Sequence, residues 1–395
     1  MNTVRNIVRA GVIGIGSMGS AHAVCIRDRR IKGLTLGAVC DSDPAKRLWA
    51  EQNLPGIPCY EDFRALIQSG RVDAIVIAAP HYLHPEIAVS GFHKGLSVLT
   101  EKPAGVYVNQ VIEMNKAAAA AGTVFGIMFN QRTNPLFARA RELVRDGSLG
   151  VPKRLIWIVT NWYRTQQYYN SGGWRGSWAG EGGGVLMNQA PHNLDLWQWI
   201  FGMPASLRAF CGYGRYHDVE IEDDVTIYAE YPNGASASFI TTTGEDPGTN
   251  RLEISGDGGK MVIGDGRLRF WKLGISERQY CFDPDGTPGK QSVTVEELAQ
   301  TEPEPAHAGI LQNFTNAILY GEPLLAPGIE GIHSLQIANA AYLSDWTGET
   351  VTLPADPDRF EAMLREKAEK SAKKQAVSGE GAAQGVYHHK WNTKW

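Results

Sequence analysis

Residues 9–23 read RAGVIGIGSMGSAHA, with Gly14, Gly16 and Gly19 directly after a short apolar run. A GxGxxG spacing alone is a weak signal, so its meaning depends on what surrounds it. From residue 5 to about residue 132 the chain alternates apolar runs with amphipathic stretches. The runs are IVRAGVIGI, LTLGAVCD, DAIVIAA, LSVLTE and VFGIMF, and stretches such as PAKRLWAEQ and VNQVIEMNKAAAAAG lie between them. Continuous apolar strands alternating with helices predict a parallel sheet covered on both faces. In that setting the glycines end the first strand and open the first helix. Gly14 permits the tight turn, Gly16 admits a pyrophosphate close to the backbone, and Gly19 lets helix and strand pack tightly. Ile15, Ser17 and Met18 complete the loop, and the helix N-terminus offers its N–H groups to phosphate. The stretch reads as a dinucleotide site.

Asp41 ends the second strand about twenty residues further on, where a carboxylate binds the ribose hydroxyls and repels a 2′-phosphate. This selects NAD as the cofactor. Lys46 and Arg47 are expected to face solvent from the helix that follows. A secretory signal is the competing reading of an early Arg, an apolar run and an AHA ending. The run is too short and too broken by glycine for that, and no later segment approaches the length of a membrane span. The five cysteines, Cys25, Cys40, Cys59, Cys211 and Cys281, are odd in number and form no CxxC pair. They point to free thiols in a reducing compartment, hence to a cytoplasmic protein. A formal charge of −4 over 395 residues implies neither a nucleic-acid partner nor a membrane surface.

Two later strand ends are unusually polar. The third apolar run stops at AAPHYLHPE, with Ala79, Pro80, His81 and His84, and the next stops at TEKPAG, with Glu101, Lys102 and Pro103. Ligands of such sheets bind outside the carboxyl ends of the strands, so both segments point at the cofactor crevice. Pro103 fixes the local backbone and biases Lys102 towards an extended conformation. Beside an oxidised nicotinamide a lysine pKa falls, and its amine can share in deprotonating a substrate hydroxyl.

These segments, with FNQRTNP at 129–135 and GGGVLMNQAPHNLD at 182–195, resemble the glucose–fructose oxidoreductase and inositol dehydrogenase (Gfo/Idh/MocA) family over roughly residues 5 to 354. The resemblance implies an NAD(P)-dependent oxidoreductase of sugars or cyclitols in which Lys102 is the catalytic lysine. It also implies that Asn130 and Arg132 line the cofactor site, Asn130 reaching the substrate as well, and that His192 faces the substrate hydroxyl. The family usually has Asp where this chain has Asn188. An amide supports an imidazolium less than a carboxylate does, which shifts weight from His192 to Lys102. Asn188 can still orient a hydroxyl, as donor and as acceptor.

The expected organisation is a Rossmann domain over residues 1–132, an α+β domain with a large, mostly antiparallel open sheet over 133–354, and a carboxyl-terminal helix and tail over 355–395. PNG and GDGGK mark hairpins in the second domain. Self-association through its sheet, as a dimer or tetramer, is expected. Residues 180–202 read as a helix that places Asn188, His192 and Asp195 on one face. Residues 161–175, NWYRTQQYYNSGGWR, read as a sugar-binding wall: Trp162, Tyr163, Tyr168, Tyr169 and Trp174 stack on the ring, while Asn161, Arg164 and Arg175 read its hydroxyls. The breadth of the wall suggests a glycoside or anhydrosugar more than a bare cyclitol. Within the family, the segment resembles levoglucosan dehydrogenases and glucoside 3-dehydrogenases. The tail VYHHKWNTKW is aromatic for a free end; Tyr387, Trp391 and Trp395 suggest an arm seated beside the substrate mouth of a neighbouring subunit. Adjacent His388 and His389 are thin evidence for metal, and no metal site is assigned.

Four functions fit this pattern. The leading one is an NAD-dependent dehydrogenase that converts a secondary ring hydroxyl of a small-molecule carbohydrate to a ketone. The others are a cyclitol dehydrogenase, a redox-elimination glycosidase and a non-enzymatic NAD sensor.

Overall fold

The computed structural model describes residues 6–283, 291–301, 303–371 and 385–387. The apolar runs of the first domain become strands β1 (Val8–Ile13), β2 (Leu34–Cys40), β3 (Cys59–Tyr60), β4 (Ala74–Ile77), β5 (Ser97–Thr100) and β6 (Phe125–Ile127). They pair in parallel in the order β3-β2-β1-β4-β5-β6. Every residue of β4 and β5 is buried, as strands covered on both faces require. The register fixes where ligands go. Ile13 pairs with both Cys40 and Ile77, Ile77 with Thr100, and Thr100 with Ile127. The carboxyl ends of five strands therefore lie in one row, and the strand order reverses between β1 and β4. A crevice at such a reversal is where a dinucleotide binds.

The second sheet comprises β7 (Pro152–Val159), β8 (Ser206–Tyr213), β9 (Glu222–Glu230), β10 (Ser236–Thr242), β11 (Asn250–Gly256), β12 (Gly259–Gly264), β13 (Arg267–Leu273), β14 (Val293–Ala299) and β15 (Val351–Thr352). Among the described residues their order is β14-β13-β12-β11-β7-β10-β9-β8-β15, antiparallel throughout except for β7 beside β10. Asn233 and Gly234 turn β9 into β10, and Asp257 and Gly258 turn β11 into β12, as the hairpin signals predict. On β9, Val225, Ile227 and Ala229 are buried while Thr226, Tyr228 and Glu230 are exposed. The buried face packs on helices Pro191–Phe201 and Gly331–Thr347; Trp197, for one, stacks on Phe239 of β10 with ring centres 5.7 Å apart. The opposite face leaves Phe210 59% and Tyr228 46% exposed.

Among the described residues no helix is long and apolar enough to cross a membrane, and all five cysteines are free.

Candidate active site between the two sheets

The glycine loop has the geometry its sequence predicts. Gly14 takes φ +91°, and a Cβ there would stand 2.5 Å from the carbonyl oxygen of Ala78, just past β4. A Cβ on Gly19 would meet the Gly14 oxygen at 1.6 Å, so only glycine lets the helix Ser17–Arg27 lie this close to the turn. A Cβ on Gly16 would meet nothing within 4 Å. That open cradle, and a helix N-terminus that no side chain caps, suit a pyrophosphate. Asp41 is 8% exposed and accepts from the backbone N–H of Ile15 at 2.6 Å and of Asp43 at 2.9 Å. A carboxylate has about four acceptor positions, so two remain for ribose hydroxyls. The open glycine cradle and the free acceptor positions of Asp41 fit NAD.

Lys46 and Arg47 do not face away as expected. The Lys46 ammonium stands 3.7 Å from Asp41, and the Arg47 guanidinium donates to the carbonyls of Asp41 and Ser42 at 3.0 and 2.8 Å. The carboxylate and exposed carbonyls of this strand end draw both cations back.

Past β5, Lys102 joins Pro103 through a cis peptide bond and donates from Nζ to the backbone oxygen of Asn188 at 2.7 Å. Burial pulls its pKa down to about 8 against the raising charge of Glu101. Glu101 itself turns behind the site, with its carboxylate 2.8 Å from His22 Nε2. Burial alone would raise its pKa, but the hydrogen bond and charge of His22 outweigh burial and hold it near 2. His192 is 9% exposed, its Nδ1 has no partner, and burial together with the charge of Lys102 pushes its pKa well below the ordinary value. Asn130, past β6, is 4% exposed with Oδ1 unpartnered. Buried polar atoms without partners are rare in native proteins, which makes both residues candidates for a ligand contact.

The wall over the site comes from residues 161–189. Trp174 meets His81 edge-on at 5.3 Å, and Arg175 lies 4.4 Å from the ring centres of both Tyr168 and Trp174. His81 Nδ1 is 3.1 Å from the Glu181 carbonyl oxygen, and burial lowers its pKa. The Asn188 amide donates to the Tyr168 hydroxyl at 3.0 Å and to Glu181. The Oε1 of Gln189 and the Oδ1 of Asn161 are buried without partners.

Several expected contacts have other work. Arg132 is buried in an ion pair, donating to Asp195 at 2.6 and 2.8 Å and to Glu330 at 2.6 Å, so its guanidinium is engaged within the protein. The Asp195 carboxylate is therefore engaged by Arg132 rather than by the site. Pro191 starts a new helix, which separates Asn188, on Val185–Asn188, from His192 and Asp195, which stay three residues apart on Pro191–Phe201. His84 is a clip, with Nδ1 2.8 Å from the Pro103 oxygen and Nε2 2.7 Å from that of Ala79. Trp162 is 5% exposed, and its indole donates to Asn193 at 3.1 Å, which places it inside the wall. Tyr163 is 43% exposed, and Arg164 donates to the carbonyls of Trp162 and Tyr163. Pro80 is exposed, while Ala79, Ser17 and Met18 are half-buried along the crevice.

Glu181 is the residue that sequence reasoning missed. It is 1% exposed, accepts from Gly176 N–H at 2.7 Å and lies 3.8 Å from Arg175; burial raises its pKa against the Arg175 charge. Its place in the glycine run 180–184 was the one available signal, since only glycines let a backbone pass so closely under Val106 and Tyr342.

Comparison with known proteins agrees with this geometry. Residues 8–129 match the model of the oxidoreductase family with an NAD-binding Rossmann fold, and residues 137–262 match the GFO/IDH/MocA C-terminal domain. The chain is 25% identical over 364 residues to scyllo-inositol 2-dehydrogenase (NAD(+)) of Bacillus subtilis, covering 88% of this chain and 96% of that protein. The crystal structure of the WlbA dehydrogenase from Bordetella pertussis, in complex with NADH and UDP-GlcNAcA, superposes with TM-score 0.74 at 26% identity, over 89% of this chain and all of that one. Levoglucosan dehydrogenase, in complex with NADH and levoglucosan, shares the fold with TM-score 0.73 at 19% identity, over 88% and 99% of the two chains. The two matched segments, the strand-end row and the glycine cradle lead to one assignment: the chain belongs to the Gfo/Idh/MocA family of NAD-binding oxidoreductases.

Proposed function

We propose that this enzyme oxidises a secondary ring hydroxyl of a sugar, glycoside or anhydrosugar to the ketone. The observation that carries the reading is Lys102. Its amine sits at the cleft with a pKa near 8 and is fixed on the Asn188 carbonyl between the strand ends and the wall. NAD, held by the glycine loop and Asp41, supplies the hydride acceptor. The neutral Lys102 amine takes the hydroxyl proton as the ring C–H gives up its hydride. His192, with Nδ1 unpartnered, steadies the reacting oxygen. Both donors of the Asn188 amide are engaged by Tyr168 and Glu181, which leaves its oxygen to accept from a substrate hydroxyl. Trp174 and Tyr168, backed by Arg175, give the ring an aromatic surface with a cationic edge. That breadth favours a glycoside or anhydrosugar.

A cyclitol substrate is the second reading, supported by the Bacillus subtilis relative. A panel of glycosides, anhydrosugars, free sugars and inositols, assayed for NADH appearance, separates the two. Turnover of glycosides or anhydrosugars over inositols supports the first reading, and the reverse order supports the second. Net glycoside cleavage without NADH accumulation would point to redox elimination instead.

A further inference from the structure

Residues Gly385–Tyr387 are seated between the first domain and the helix Ala306–Tyr320, far along the chain from anything they touch. Gly385 donates to Ser20 Oγ at 3.1 Å, and a Cβ on it would come 2.9 Å from Val24 and 3.3 Å from Trp49, so the seat fits glycine closely. The Tyr387 ring stacks on His307, with centres 4.9 Å apart and planes 9° apart. Its hydroxyl is 2.8 Å from His22 Nδ1, and His22 Nε2 is in turn 2.8 Å from Glu101 Oε1. Cys25 also contacts the hydroxyl, and the charges of Glu101 and Arg30 act on it. Of the arm expected at another subunit's substrate mouth, Tyr387 packs behind Glu101 of its own chain, while Trp391 and Trp395 lie outside the described residues.

We propose that Tyr387 is a positioning residue, which orders His22 and through it the Glu101 carboxylate that flanks Lys102. The inference rests on Lys102 being the catalytic base. A group hydrogen-bonded to the far side of a site residue fixes that residue's tautomer and orientation. Ionised Glu101 can only accept, so His22 Nε2 must carry a proton towards it. That commits Nδ1 to the far side of the ring, where it is wholly buried. A tyrosine hydroxyl both donates and accepts, so it satisfies Nδ1 whether or not the ring is charged. Without it Nδ1 is a buried orphan, the ring is free to turn, and Glu101 loses its fixed partner. Glu101 is the charge that supports the protonated form of Lys102, so loosening it lets the lysine pKa fall further.

The test is Tyr387→Phe in the full chain, which keeps the ring stack and removes only the hydroxyl. Two readouts are needed. The pH dependence of Lys102 acylation by acetic anhydride in the cofactor-free protein, followed by mass spectrometry, should move down by roughly 0.3–1 pH unit, the worth of one ordinary hydrogen bond. The kcat should fall about three- to tenfold with the KM values for NAD and sugar little changed. His22→Asn should do the same, and the double variant should be no worse than either single one. An unmoved Lys102 labelling midpoint with unchanged kcat would overturn the proposal, as would additive losses in the double variant. If Lys102→Met also retains turnover, the catalytic reading itself has failed, which is a different result.

Discussion

At the residue scale, the groups that matter stand where strand-end logic puts them. Gly14, Asp41, Lys102 and Asn130 each follow the last residue of a parallel strand by one to three positions, so the sheet register assembles them. Glu181, His22 and Tyr387 were not legible in this way, because their partners lie 7, 79 and 365 residues away on unrelated elements. Asp41→Ala should weaken NAD about tenfold or more, the loss expected for hydrogen bonds to a charged group. The same change should improve NADP, because it removes the carboxylate that repels a 2′-phosphate and frees Lys46 beside the ribose. Ratios of kcat/KM for the two cofactors measure this, and equal losses would remove Asp41 from the ribose. The charge of Glu181 raises the Lys102 pKa, so Glu181→Gln should lower it. A base acts only when neutral, so the acid limb of the kcat/KM profile should then shift to lower pH. A limb that stays in place would mean the carboxylate is not felt by the lysine.

At the scale of elements, the strand–turn–helix at the start of the chain separates two roles for glycine. Gly19→Ala forces a Cβ into the Gly14 carbonyl, so it should lower the thermal midpoint of the cofactor-free protein and weaken NAD. Gly16→Ala meets no protein atom within 4 Å; it should leave the midpoint alone and weaken NAD only, by obstructing the pyrophosphate. Differential scanning fluorimetry with and without NAD distinguishes the two, and equal midpoint losses would contradict the cradle. The first sheet was legible apart from β3, whose two residues are too few to show a period. β14 was not read either, because residues 293–299 are almost wholly exposed and carry two glutamates at an edge. The segment 180–202 misled because its apolar spacing runs on across a break that Pro191 alone announces.

For the whole molecule, the Arg132–Asp195 pair ties the loop after β6 to the helix beneath the second sheet, and so sets the strand-end row against the aromatic wall. The sequence showed that two such layers exist, but not how they meet. One face of the second sheet still exposes Phe210 and Tyr228, an apolar surface of the kind that marks association. If copies of the chain associate through this face, the double variant Phe210→Glu, Tyr228→Glu should sediment as smaller species than the wild type while leaving the fold intact. A wild-type protein that is already monomeric would remove this face as the interface.

We propose Lys102 as the base that takes the substrate hydroxyl proton as hydride leaves the ring carbon. Single-turnover NADH formation, followed against pH in the wild type and in Lys102→Met with the best substrate of the panel, tests it directly. Because the lysine must be neutral to accept a proton, the wild-type rate should rise with pH through a midpoint near 8 and level off above it. The cationic nicotinamide of bound NAD can only bring that midpoint lower. Lys102→Met should be slower by about 10²–10⁴-fold, the contribution of a positioned general base, with NAD binding retained and the rise with pH abolished. A Lys102→Met enzyme that keeps both the wild-type rate and its pH dependence would contradict the account.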